Sequence, residues 1–170
     1  MIHELKKGDY ALIFDDDRKG EAADVVTVRI VTEGAEPSGL EVEFYHCKYS
    51  LKHTPGHRID DLYEVCGQAQ KSVAWASSPL KKTDLFTHLL HREDLRRVAG
   101  EATRIDHGSE DVILTLRDMS RILPVAFKLF IVQPGLAKSE ASQDQLLLLS
   151  VTEHYLWQTY QLPFGVIGSE

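Results

Sequence analysis

Cysteine is scarce in this chain: Cys47 and Cys66 are the only two among 170 residues. Two thiols cannot build a disulfide framework, and such usage suits a reducing interior. Long apolar runs are missing as well. The longest is Tyr10–Phe14, far short of the ~20 residues that a membrane span needs. No basic stretch followed by an apolar one opens the sequence, so no secretory leader is expected, and the expected compartment is the cytoplasm. A glycine-rich, phosphate-cradling loop is absent, which excludes a nucleotide-driven motor. Positive charge is not in excess either: 19 Lys and Arg face 26 Asp and Glu, a formal net charge of −7 that argues against a general polyanion binder.

What is present is ordinary globular material. Apolar residues make up 43% and charged residues 26%, and the length fits one domain with its own core. The charge is unevenly spread. Residues 1–45 carry 5 Lys/Arg against 11 Asp/Glu, whereas residues 46–100 carry 9 against 6 and hold five of the eight histidines. A locally basic middle in an acidic protein suits either a polyanion-facing surface, with Lys52, Arg58 and Lys71 as phosphate contacts, or merely solvated side chains.

Periodicity predicts alternating strands and helices. Tyr10–Phe14 reads as a buried strand, Asp24–Val31 as a β-branched central strand, and Leu40–Tyr49 as its antiparallel neighbour across a loop at Thr32–Gly39. Asp61-Leu62-Tyr63-Glu64 has capping-box spacing and opens a helix to Trp75, with Leu62, Val65, Cys66, Ala69 and Val73 on its apolar face. A second helix is expected over Asp84–Val98, with Thr83 as its N-cap. A short strand follows at Ala102–Asp106, then a helix from Ser109 to Leu123 that Pro124 ends. Val125–Val132 reads as a buried strand, Gln133-Pro134-Gly135 as a turn, Ser142-x-x-Gln145 as the cap of a helix to Tyr160, and Phe164–Gly168 as a last strand. The class is α/β, a mixed central sheet flanked by helices.

Candidate chemistry gathers around the third strand. Alternation places Val42, Phe44, His46 and Lys48 on one face, with His46 and Lys48 continuing past the core. A lysine there needs a partner, since a desolvated ammonium costs several kcal/mol. Asp24, beside it in an antiparallel hairpin, is the obvious choice.

The segments Gly20-Glu21-Ala22-Ala23-Asp24-Val25-Val26, His46-Cys47-Lys48 and Gly67-Gln68-Ala69-Gln70-Lys71-Ser72 resemble the restriction-endonuclease-like, PD-(D/E)xK nuclease superfamily. The resemblance implies a mixed sheet flanked by helices and a divalent-metal-dependent deoxyribonuclease using Mg²⁺ or Mn²⁺. It makes Asp24 the metal-binding acid and Lys48 the motif lysine, with His46 in the place of the second acid. Gln68 or Lys71 becomes the contribution of the following helix, and Glu21 a substitute acid beside Asp24. Val132–Leu136 and Leu162–Ile167 are also similar to C-terminal domains attached to bacterial superfamily-2 helicases. That likeness implies a module of a larger phage-defence or DNA-processing protein, with DNA and a helicase domain as partners.

The residues leave other readings open. Asp24 and Lys48 suit a structural ion pair as well as an active one. The whole suits a catalytically inactive nucleic-acid-binding or protein-interaction module too. Gln68 and Lys71 fit a solvated helix face, and Asp15-Asp16-Asp17 a solvated turn. His46, Cys47, His53, His57 and Cys66 crowd together but lack a CxxC knuckle, so tetrahedral zinc spacing is not specified. His88, His91, Arg92, Arg96 and Arg97 fit phosphate contacts or an exposed helix face.

Overall fold

Three antiparallel strands followed by helix-linked parallel ones is the architecture that the alternation produces. A computed structural model describes residues 1–48, 56, 59–77 and 79–169. The elements are α1 (Ile2–Leu5), β1 (Leu12–Asp15), β2 (Val25–Glu33), β3 (Glu36–Cys47), α2 (Asp60–Ala76), α3 (Pro79–Val98), β4 (Ile105–His107), α4 (Glu110–Met119), β5 (Val125–Ala137), α5 (Gln143–Tyr160) and β6 (Phe164–Ser169). All six strands join one mixed sheet in the order β4-β1-β2-β3-β5-β6. β2 and β3 are antiparallel, as expected, with Val25 opposite Tyr45 and Val28 opposite Val42. β5 runs parallel to both β3 and β6.

The two faces of the sheet differ. Phe14, Val26, Val28, Val42, Phe44, Phe127 and Leu129 point to one side, where Val73, Leu85, Phe86, Leu89, Ile113, Leu116 and Leu156 from α2–α5 close over them. Burying a Leu or Phe side chain contributes about 1.5–3 kcal/mol, so this layer supplies most of the folding energy. The opposite face carries a smaller cluster of Tyr10, Ile13, Val25 and Tyr45, to which the four-residue α1 contributes Ile2 and Leu5. Beside it lies a charged network around Glu43.

Several boundaries differ from the sequence expectation for local reasons. Thr32–Gly39 is not a loop: both strands continue to a two-residue turn at Gly34-Ala35, and Gly34 takes the left-handed φ of 64° at its first position. Gln133-Pro134-Gly135 likewise lies inside β5, at an irregularity in its pairing with β6. Asp61 does not cap α2; Ile59 precedes the helix with no side-chain cap, and Asp61 lies within its first turn. Pro79 opens α3 at the position where its missing N–H costs nothing, which leaves Thr83 inside the helix, bonded to Ser120. α4 ends at Met119; Ile113 and Leu116 are its buried residues, with Val112 and Met119 packed against the core beside them. The Ser142–Gln145 capping box forms in full.

Candidate functional site

The loop that joins β1 to β2 gathers the acidic residues. Asp17, Glu21 and Asp24 bring their carboxylates together, each offering an oxygen within 4.8 Å of the others. Asp24 Oδ2 accepts from the Cys47 backbone N–H at 2.6 Å, and Glu21 Oε2 from that of Arg18 at 2.9 Å. No Lys or Arg forms an ion pair with the three among the described residues. Burial raises the Glu21 carboxyl above the usual range, and neighbouring Asp24 raises it further. Burial also raises Asp24, with Asp17 and Asp15 adding to the effect against the Cys47 hydrogen bond. Clustered carboxylates without a cation suit a hard divalent ion, which takes oxygen ligands and keeps several waters.

Two arginines hold this loop in shape. Arg92 of α3 places Nε 2.6 Å from Asp16 Oδ1 and donates through its other nitrogens to the backbone carbonyls of Asp16, Asp17, Arg18 and Lys19. Arg104 donates to the carbonyls of Asp15 and Asp17. Asp16 itself is fully buried, accepting also from the Ala22 N–H at 2.7 Å, with His88 Nε2 at 3.3 Å. The Asp15–Asp17 run is therefore not a solvated turn: Asp16 anchors the loop and Asp17 joins the carboxylate group. Arg92 is likewise no exposed phosphate contact.

Glu21 also borders a cavity of about 220 Å³ between this loop and α2, whose other walls include His46, Gln68, Lys71, Ser72 and Trp75. Residues on β3, α2 and the β1–β2 loop thus meet at one place. His46 does not continue past the core as expected. It is 2% exposed, because β3 carries it beneath α2, where its Nε2 lies 2.8 Å from Ser72 Oγ. The Ser72 hydroxyl gives its one hydrogen to the Ala22 carbonyl at 2.7 Å. With that hydrogen on the Ala22 carbonyl it accepts from His46 Nε2–H, the tautomer that leaves Nδ1 unprotonated. Burial depresses the imidazole to about 4, so it is neutral at physiological pH. Nδ1 and Gln68 Oε1 are both shielded from solvent without a hydrogen-bond partner, a cost of about 1–3 kcal/mol each.

Lys48 departs from expectation too. Its Nζ pairs with Glu64 Oε2 at 2.7 Å rather than with Asp24. That hydrogen bond raises its pKa most, while Asp61 and Asp24 act only at longer range. α2 offers Glu64, just past its first turn, to the end of β3, while Asp24 is occupied with the Cys47 N–H. Among the described residues, part of the basic middle is self-neutralised. Lys48, Arg92, Arg96 and Arg97 are all in ion pairs, whereas Lys71 forms none among the described residues. Lys52 and Arg58, with His53 and His57 of the crowded His/Cys segment, lie outside the described residues. Cys66 packs against Leu62, Val65, Ala69 and Ile131.

Sequence reasoning missed Asp17, Asp16, Arg92 and Arg104. Their one visible signal was the unbroken Asp15-Asp16-Asp17 run, whose repulsion demands cations brought from elsewhere in the chain. Comparison with family models, curated proteins and solved structures finds no match to this chain. No helix among the described residues is long and apolar enough to cross a membrane.

Proposed function

We propose that the chain is a divalent-metal-dependent nuclease domain that hydrolyses phosphodiester bonds in DNA. One observation carries this reading: Asp17, Glu21 and Asp24 converge without a cationic partner among the described residues, and Glu21 shares a cavity with Gln68 and Lys71. Asp17, Glu21 and Asp24 would hold Mg²⁺ or Mn²⁺. When bound, such an ion offsets charge that builds on a phosphate oxygen and activates water. The protein's own groups act around it. Arg92 and Arg104 fix the loop, so the carboxylates are ordered before a ligand arrives. Lys71, which forms no ion pair among the described residues, offers an ammonium to a phosphate. Neutral His46, held through Ser72, adds no charge to the site.

Heat stability should rise with Mn²⁺ or Mg²⁺, and Asp24→Ala should abolish both that rise and Mn²⁺-dependent cleavage of plasmid DNA. A parent protein that neither responds to the metals nor cleaves would overturn the reading. Lys48→Met tests the motif lysine separately. It should stay folded and bind metal but lose ~10²-fold in cleavage, the usual scale for one electrostatic stabiliser. The Lys48–Glu64 pair favours a second reading, a nuclease-like fold without activity that serves as a nucleic-acid-binding or interaction module. In that case metal binding persists and cleavage is absent. The helicase-associated, cytoplasmic setting of phage defence or DNA processing belongs to the same proposal and rests on the resemblance alone.

A further inference from the structure

The two outer edges of the sheet are built differently. β4 is three residues long and carries Asp106, which pairs with Lys6 at 2.9 Å. Short length and charge are how natural sheets keep an edge from pairing with another chain. β6, at the other end of the sheet, has neither protection. Its six residues, Phe164 to Ser169, include no charge and no proline, and its outer side has no strand partner among the described residues. The flank of α5 beside this edge is apolar as well. Leu146 lines a groove of about 560 Å³ with Leu136, Val166 and Ile167. Trp157 and Tyr160 line a hollow of about 400 Å³ beside Val125–Lys128, the part of β5 that precedes its first pair with β6 at Leu129. Leu146, Glu153, Trp157 and Tyr160 recur at i, i+7, i+11 and i+14, so one stripe of the helix runs from groove to hollow.

We infer that this flank docks a second copy of the chain, β6 against β6 in antiparallel order about a two-fold axis. An edge strand pairs through its backbone N–H and C=O groups, and an antiparallel copy offers the same groups at the same spacing, so the edge is complementary to itself. The axis keeps both α5 helices on one face, where their apolar stripes meet. It also turns the groove end of each copy toward the hollow end of the other. Lys138 borders the groove and Glu153 lies on the stripe beyond Leu146, neither in an ion pair among the described residues. Antiparallel order therefore sets opposite charges at each end of the seam. The area fits too. Leu146, Trp157, Tyr160, Val166 and Ile167, each 37–55% exposed, present roughly 400 Å² of apolar side chain. A standard interface buries about 800 Å² of each partner, a little over half of it apolar, so these five residues supply that share. A lone peptide strand on β6 would leave Trp157 and Tyr160 in water, which favours a whole second copy.

Sedimentation velocity of the full chain tests this, run in EDTA so that the result is independent of the nuclease reading. From about 1 to about 200 μM, monomer should pass to dimer with a dissociation constant in the micromolar range. Ile167→Lys places a charge on the edge and Trp157→Glu one on the stripe. Each should weaken the dimer about tenfold or more, the scale of losing one strong interface contact. Both side chains are exposed, so the circular dichroism spectrum and the thermal midpoint, measured at a dilution where the parent is monomeric, should not change. Leu95→Lys, at an exposed position of α3, should leave the dimer intact. A chain that stays monomeric throughout would overturn the inference and leave the edge to a strand from another protein. So would a dimer that survives both substitutions, or one that Leu95→Lys weakens equally. Assembly beyond two copies would overturn it as well, because a two-fold contact closes on itself.

Discussion

Two carboxylate groups on this sheet meet opposite fates. Glu43, on the face away from the large helices, accepts from Tyr10 Oη, Tyr45 Oη and Thr27 Oγ1 and pairs with Arg29 Nη1 at 3.0 Å. Although burial works to raise its pKa, the Tyr45 and Tyr10 hydrogen bonds and Arg29 bring it below the usual carboxylate range. Glu21 and Asp24 accept from backbone N–H groups, but none of Asp17, Glu21 and Asp24 has a cation among the described residues, and burial with mutual repulsion pushes Glu21 and Asp24 upward. Both groups are acidic, Glu43 buried, Glu21 and Asp24 half-buried and Asp17 exposed. The difference is whether the fold supplies the counter-charge, and so whether the carboxylate holds the fold together or waits for something else. Asp16 lies only a residue from the second group yet belongs with the first, because Arg92 reaches it.

The sharpest way to break this contrast is to take the counter-charge from Asp16. Arg92→Met leaves a fully buried carboxylate unpaired and should cost about 3–5 kcal/mol. At roughly 2–4 °C per kcal/mol for a chain this size, the thermal midpoint should fall by about 6 °C or more. Mn²⁺ affinity, read by isothermal titration below that midpoint, should fall with it as the loop loosens. An unchanged melt would remove Arg92 from the scaffold. Glu43→Leu should cost somewhat less, about 3 kcal/mol, because Arg29 keeps access to Glu41 and solvent. Its Mn²⁺ affinity should not move, since the network lies on the other face. A metal-binding defect in Glu43→Leu would merge two sites held here to be separate.

The buried histidine gives a pH test. An unfolded imidazole takes up its proton near 6.5, but the folded one does so only near 4. Between those values the unfolded chain binds the extra proton, so stability is full above about pH 6.5, declines as pH falls, and reaches its floor near pH 4. The loss amounts to up to about 3 kcal/mol. The raised carboxyls of Glu21 and Asp24 work in the opposite sense, giving stability at low pH that is lost as pH rises through their folded values. Urea titrations across this range should show the decline in the parent and a flatter profile in His46→Asn; identical profiles would mean that His46 is not the group responsible.

The smallest effect sharpens the comparison most. Asp24→Asn keeps an acceptor for the Cys47 N–H but removes one of the repelling charges. In EDTA its thermal midpoint should rise slightly above the parent's, and the response to Mn²⁺ should disappear. A lower midpoint in EDTA would mean that the carboxylates are already compensated within the protein.

Where sequence and structure agree, the cause is local. The order of the long elements, the antiparallel β2–β3 pair, the apolar face of α2 and the Ser142 capping box follow from periodicity and cap chemistry within a few neighbouring residues. Alternation on β3 likewise put His46 and Phe44 on one face. Glu21, His46, Gln68 and Lys71 were each visible as polar residues at informative spacings. Tertiary structure alone brought them around one cavity, because the register of β3 against β2 and the seat of α2 decide which ends of these elements meet. It also gave Lys48 to Glu64, buried His46 under Ser72, and sent Arg92 and Arg104 to a loop more than 70 residues away in sequence. A sequence states which charges a chain carries. Which of them neutralise each other is fixed only by the packed fold, since an ion pair depends on distances of a few ångströms that no local spacing encodes.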